Sequence, residues 1–87
     1  MASYSVFLKR SAARELEEIG TDADRRRIVE RIRSLAEDPR PPACEKLAGR
    51  DDRLRIRQGD YRVIYSVDDN ERVVTVVKIG HRKDVYR

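Results

Sequence analysis

Apolar positions along the chain follow two periods, and the change from one to the other divides it into a helical half and a strand half. Tyr4-Ser5-Val6-Phe7-Leu8 is a short strand candidate, rich in aromatic and branched residues. Ala12, Leu16 and Ile19 then recur at spacings that put them on one face of a helix, with Ser11 suited to the N-cap and Gly20 to the position just past the C-cap. Thr21-Asp22-Ala23-Asp24 resembles a capping box with Asp in place of Glu, so a second helix should begin at once, its carboxylates favourable at the positive end of the dipole. Ile28, Ile32 and Leu35 form one apolar row and Val29 with Ala36 a neighbouring one, whereas Arg25, Arg26, Arg27, Arg31 and Arg33 cover the remaining surface. Asp38-Pro39 should end the helix.

Arg40-Pro41-Pro42-Ala43 is a stiff, extended connector, too short to separate two domains. Beyond it the period becomes two. Strands are expected at Arg53 to Arg57, Tyr61 to Val67 and Arg72 to Ile79, the last two joined by a tight turn around Asp68-Asp69-Asn70-Glu71. A two-residue turn at Gly59-Asp60 sets Arg57 across from Arg62, Ile56 across from Val63 and Leu54 across from Tyr65. Leu54 and Ile56, with Tyr61, Val63, Tyr65 and Val67, then make one continuous apolar surface that the helices can cover. Val73-Val74-Thr75-Val76-Val77 is apolar on both faces, as an interior strand would be. The expected architecture is α+β: two helices packed on one face of a curved, mostly antiparallel sheet, with the other face partly open and basic.

At 87 residues the chain fits one small domain, spanning 1–87. Lys and Arg total 20 against 16 acidic residues, a net charge of +4 that favours polyanionic or acidic partners but equally suits a solvated surface of mixed sign. Patterning shifts the balance. Arg53, Arg55 and Arg57 share a face with Arg62, and like charges placed opposite each other in a ladder are destabilising, so a fold that keeps them is expected to hold an anion there. A nucleic-acid phosphate is the best candidate. A single cysteine, Cys44, excludes an internal disulfide, and no Cys/His set has zinc spacing, so neither metal nor cofactor is expected. The N-terminus runs into a strand-like segment without a signal-peptide core, and no apolar run approaches the ~20 residues of a membrane span; a cytoplasmic protein without membrane contact is the expectation.

The segment Gly80-His81-Arg82-Lys83-Asp84-Val85-Tyr86-Arg87 allows three readings. His81 could be an ordinary exposed imidazole and Tyr86 a hydrophobic anchor. Alternatively, Arg53, Arg55, Arg57, Arg62 and Arg82 hold a nucleic-acid backbone while Tyr86 stacks on a base. The third reading is RNA cleavage, which needs a base for the 2′-hydroxyl, an acid for the leaving 5′-oxygen and positive charge on the phosphorane. Arginine suits the last task and fails the first, since its pKa above ~12 keeps it protonated.

Lys46-Leu47-Ala48-Gly49, Arg53-Leu54-Arg55-Ile56, Gly59-Asp60-Tyr61-Arg62-Val63-Ile64-Tyr65 and the closing Gly80 to Arg87 together resemble the RelE/ParE toxin superfamily of type II toxin–antitoxin systems, over essentially the whole chain. The resemblance implies a β-α-α-β fold with three or four strands after the helices and the N-terminal strand beside the last long one. It also implies an acidic, RelB-like antitoxin, with operator DNA reached only through the antitoxin complex. In the RelE branch it implies a metal-independent endonuclease that cuts mRNA in the A site of the 70S ribosome. Arg62 matches the family's strand arginine that grips the scissile phosphate, Arg82 the arginine that stabilises the transition state or protonates the leaving oxygen, and Tyr86 the tyrosine that stacks on the target nucleotide. Arg53 and Arg55 fall where the RelE pattern has lysines, so with Arg57 and Lys46 they read as phosphate-binding residues and leave the base unassigned. His81, whose unperturbed pKa is near neutrality, is the sequence candidate for proton transfer. The ParE branch, which poisons DNA gyrase, and an inactive toxin serving as corepressor are the alternatives.

Overall fold

In a computed structural model, described for residues 3–47, 49 and 52–81, the elements follow the order β1 (Ser5–Leu8), α1 (Arg10–Glu17), α2 (Asp22–Ser34), β2 (Glu45–Lys46), β3 (Arg53–Gln58), β4 (Tyr61–Asp68) and β5 (Val73–His81). The strands form one sheet in the order β1-β5-β4-β3-β2. Only β1 and β5 run parallel; the other pairs are antiparallel. The α+β architecture expected from the periodicity is therefore present, including the N-terminal strand beside the last long one and an interior position for β5.

Register follows the Gly59-Asp60 turn as expected: Arg57 pairs with Arg62, Ile56 with Val63 and Leu54 with Tyr65. Gly59 sits at φ +62°, the left-handed value that the first position of such a turn requires. One irregularity rephases β5. Ile64 pairs with Lys78 but Tyr65 pairs with Val76, so Val77 is an extra residue. Burial shifts with it, from Val74 and Val76 before the bulge to Ile79 after it. The bulge keeps the core face of β5 continuous although the sequence parity changes, which is why that strand reads as apolar on both faces.

The core lies between the helices and one face of the sheet. Ala12, Ile19, Ile28, Ile32 and Leu35 from the helical half meet Leu54, Ile56, Val63, Tyr65, Val74, Val76 and Ile79 from the strands. The Tyr65 hydroxyl, inside this core, donates to the Pro39 carbonyl at 2.7 Å, and burial pushes its pKa well above the usual tyrosine value. Across the β1 side, Tyr4 Oη donates to Asp69 Oδ1 at 2.7 Å and Arg40 donates to both oxygens of Asp69 at 3.1 and 3.0 Å. This latch ties the first strand and the connector to the β4–β5 turn. Asp68 shapes that turn by accepting from the Asn70 and Glu71 amides, both at 3.0 Å, and Arg72 closes it at φ +57°.

Element ends differ from the sequence expectation in several places. The N-cap of α1 is Lys9, not Ser11, because pairing with β5 carries one residue past β1: the Lys9 amide donates to the Val76 carbonyl while the Lys9 carbonyl accepts from Ala13. Helix α1 ends at Glu17, and Gly20 is not a left-handed cap; Arg25 from α2 instead donates to the Ile19 carbonyl at 2.9 Å. Thr21 caps α2 as expected, accepting from the Asp24 amide. Regular α2 geometry stops at Ser34, and tighter bonds such as Leu35 to Ile32 and Ala36 to Arg33 carry the chain to Asp38. Strand β2 is not among the strands read from periodicity, since two residues carry no readable period; with it, four strands follow the helices, within the three or four that the resemblance implies.

Candidate functional site: an arginine-lined concavity on the open face

Alternation along β3 and β4 decides which side chains meet. With Leu54, Ile56, Val63 and Tyr65 committed to the core, Arg53, Arg55, Arg57, Arg62 and Ile64 must project from the opposite face. Arg55, Arg57 and Arg62 line a concavity of about 700 Å³ together with Ala43, Glu45 and Gly59. Arg62 is 7% exposed and is the one buried charged residue among the described residues. Its neighbour on β5 is Gly80, which brings no side chain to compete for that space. Burying a guanidinium costs free energy unless strong partners offset it.

Glu45, which the sequence reading missed, forms part of the same wall. Strand β2 pairs it with Arg55, whose Nη2 donates to Glu45 Oε1 at 2.8 Å. That hydrogen bond and the Arg55 charge hold the Glu45 carboxyl below its usual value, and the fields of Arg57 and Arg62 pull in the same direction. Glu45 is the only carboxylate among the described residues that line the concavity. Its one sequence signal, an acidic residue ten positions before Arg55, is uninterpretable without the β2–β3 register.

The remaining sequence candidates are distributed elsewhere. Arg53 shares the open face but sits at its far end, where Lys9, Leu47, Ile64, Val77 and Lys78 surround it and Asp52 approaches at 3.8 Å. Lys46 pairs with Leu54 and so belongs to the helix side, near Arg40, Asp52 and Val67. His81 pairs with Tyr61, and their rings meet edge to face with centroids 5.7 Å apart. That pair lines a separate recess with Glu15, Glu18, Ile19 and Ile79, on the side of the sheet opposite to Arg62. In the same recess Glu15 accepts from the Ile79 amide at 2.9 Å and pairs with Lys78 at 3.2 Å. Arg82 and Tyr86 lie outside the described residues. The structure thus brings together Arg55, Arg57 and Arg62, adds Glu45, and sets Arg53, Lys46 and His81 apart from them.

The family described as ParE toxin of type II toxin-antitoxin system, parDE, matches residues 6–86. Toxin RelG of Mycobacterium tuberculosis is 37% identical over 46 residues, 53% of this chain and 49% of that protein, so the match spans about half of that relative's length. Among solved structures, the toxin–antitoxin complex RelBE2 of Mycobacterium tuberculosis superposes with a TM-score of 0.82 at 26% identity, covering 97% of each chain. The archaeal RelE–RelB complex of Pyrococcus horikoshii also gives 0.82, at 32% identity over 94% of this chain and 98% of that one. The isolated Escherichia coli RelE toxin gives 0.79 at 30% identity, over 97% and 92%. The chain belongs to the RelE/ParE superfamily and is a toxin of the type II toxin–antitoxin class.

Proposed function

We propose that the chain cuts mRNA on the ribosome, without a metal ion, and so inhibits translation. The observation that supports this most directly is the convergence of Arg55, Arg57 and the buried Arg62 on one concavity. Cleavage by the neighbouring 2′-hydroxyl builds negative charge on the phosphorane oxygens, and guanidiniums held before the substrate arrives stabilise that charge without reorganising. Arg62 grips the scissile phosphate, Arg55 and Arg57 hold it and its neighbour, and Arg53 extends the basic track along the same face. From the family resemblance, Arg82 serves the leaving oxygen and Tyr86 stacks on the target nucleotide. A RelB-like antitoxin of acidic character is the partner, in keeping with two relatives solved as complexes with theirs.

A second reading has its own support, since the matching family is described by ParE, whose branch acts on DNA gyrase. Purified toxin should be added to a ribosome–mRNA translation mix with cuts mapped by primer extension, beside a gyrase supercoiling assay. Ribosome-dependent cuts bearing 2′,3′-cyclic phosphate ends, with supercoiling unaffected, are expected. Inhibited supercoiling with intact mRNA establishes the gyrase reading instead.

A further inference from the structure

We propose that Glu45 is the general base of the cleavage reaction, a role that rests on the mRNA-cutting reading above. The argument is one of elimination on a single face. Among the described residues, the other side chains that reach the concavity with ionisable groups are Arg55, Arg57 and Arg62, and arginine cannot accept a proton at any pH the protein meets. His81 stands on the opposite side of the sheet, against Tyr61 and the end of α1. Among the described residues, Glu45 alone combines a place on the concavity wall with a group able to take a proton. It is also positioned: Arg55 donates to one of its oxygens at 2.8 Å, which leaves the second oxygen for a substrate.

The balance of the step is simple. Glu45 takes the proton from the 2′-hydroxyl, the O2′–P bond forms, and the P–O5′ bond breaks with its electron pair going to the 5′-oxygen, which gains a proton from solvent. The products are a 2′,3′-cyclic phosphate and a 5′-hydroxyl, and Glu45 returns its proton to water. The same guanidiniums that hold the phosphate keep the carboxylate ionised at neutral pH, because Arg55 above all, then Arg57 and Arg62, lower its pKa. A base in that state differs from an imidazole in its pH dependence, since no loss of rate should accompany acidification through the histidine range.

Glu45→Gln keeps the size of the side chain and removes the base. In the ribosome–mRNA mix it should bind ribosomes as the unaltered toxin does, while its cutting rate falls by the ~10²–10⁴-fold that general base catalysis contributes. Glu45→Asp should recover part of that rate, and a thermal melt of each variant checks that the fold persists. The unaltered toxin should hold a level rate between pH 7.5 and 5.5, an interval set to bracket histidine's ordinary value of about 6.5. Equal cutting by Glu45→Gln, or a rate that falls as pH drops through the histidine range, overturns the assignment while leaving the nuclease reading in place. Absence of any cutting by the unaltered toxin overturns both.

Discussion

Strand β4 is shielded from water on both faces, yet the two faces are built from opposite chemistry. Toward the helices it presents Val63 and Tyr65, both fully buried in the apolar core. Toward the open side it presents Arg62 and Ile64, also buried, paired across the strand with Arg57 and Arg55 of β3. Equal burial therefore has unequal meaning. On the core face it stabilises the fold through apolar area removed from water; on the other it lowers the dielectric around a charge, which costs stability and strengthens that charge's pull on a bound anion. A single strand thus separates what holds the protein together from the face proposed to bind RNA.

Substitutions on the two faces should separate the same way, and the largest effect belongs to the core. Ile56→Ala, next to Arg55 and Arg57 but pointing to the helices at 1% exposure, should cost about 2–5 kcal/mol in urea unfolding through lost transfer energy and a residual cavity. A cost well under 1 kcal/mol would mean that the core face closes around the gap and is not tightly packed.

Arg62→Ala is the counterpart on the open face. The variant should stay folded by circular dichroism, whereas mRNA cutting and growth inhibition should drop by ~10²–10³-fold. An unfolded variant, or a folded one of full toxicity, breaks the division of labour between the faces.

Tyr65→Phe tests the polar edge of the core. It leaves the ring in place and deletes the hydrogen bond to the Pro39 carbonyl, so stability should fall by about 0.5–1.5 kcal/mol with cutting unchanged. Guanidinium or urea titration measures the first and primer extension the second.

The smallest effect concerns the latch at the far edge of the sheet. Arg40 above all, and then Tyr4, hold the Asp69 carboxyl below the ordinary aspartate value by hydrogen bonding to its charged form. A depressed folded-state pKa contributes stability that is present above the unfolded-state value near 4 and is lost as pH falls through the folded value. Melting temperature should therefore decline with acid in that window, by a few degrees at most for so exposed a group, and Asp69→Asn should flatten that part of the decline. An unchanged acid profile would show that the latch holds no energy.

Residues that announce themselves by period were legible in the chain. The core rows Ile28, Ile32 and Leu35 and the alternation of Leu54, Ile56, Val63 and Tyr65 define the helix and strand faces, and the Gly59-Asp60 turn sets the register that brings Arg57 to Arg62. These are local properties: side-chain direction repeats every 3.6 residues or every two, and a two-residue turn leaves one pairing. The helix ends were less legible, because Lys9 is held by Val76, far away in sequence, and Ile19 by a side chain of the following helix.

The sequence by itself determined the fold class, the basic face and the toxin superfamily, since each is written in periodicity, charge placement or an ordered set of short motifs. Only the tertiary structure decided which candidates share a site. Lys46 and His81 are each one residue from a neighbour on the arginine face, and the pleat turns both the other way. Glu45 enters the concavity through a two-residue strand whose pairing spans ten residues of chain. Side-chain direction inverts at every step along a strand, and cross-strand neighbours depend on register, so the face a charge joins follows from parity and register and not from nearness along the chain.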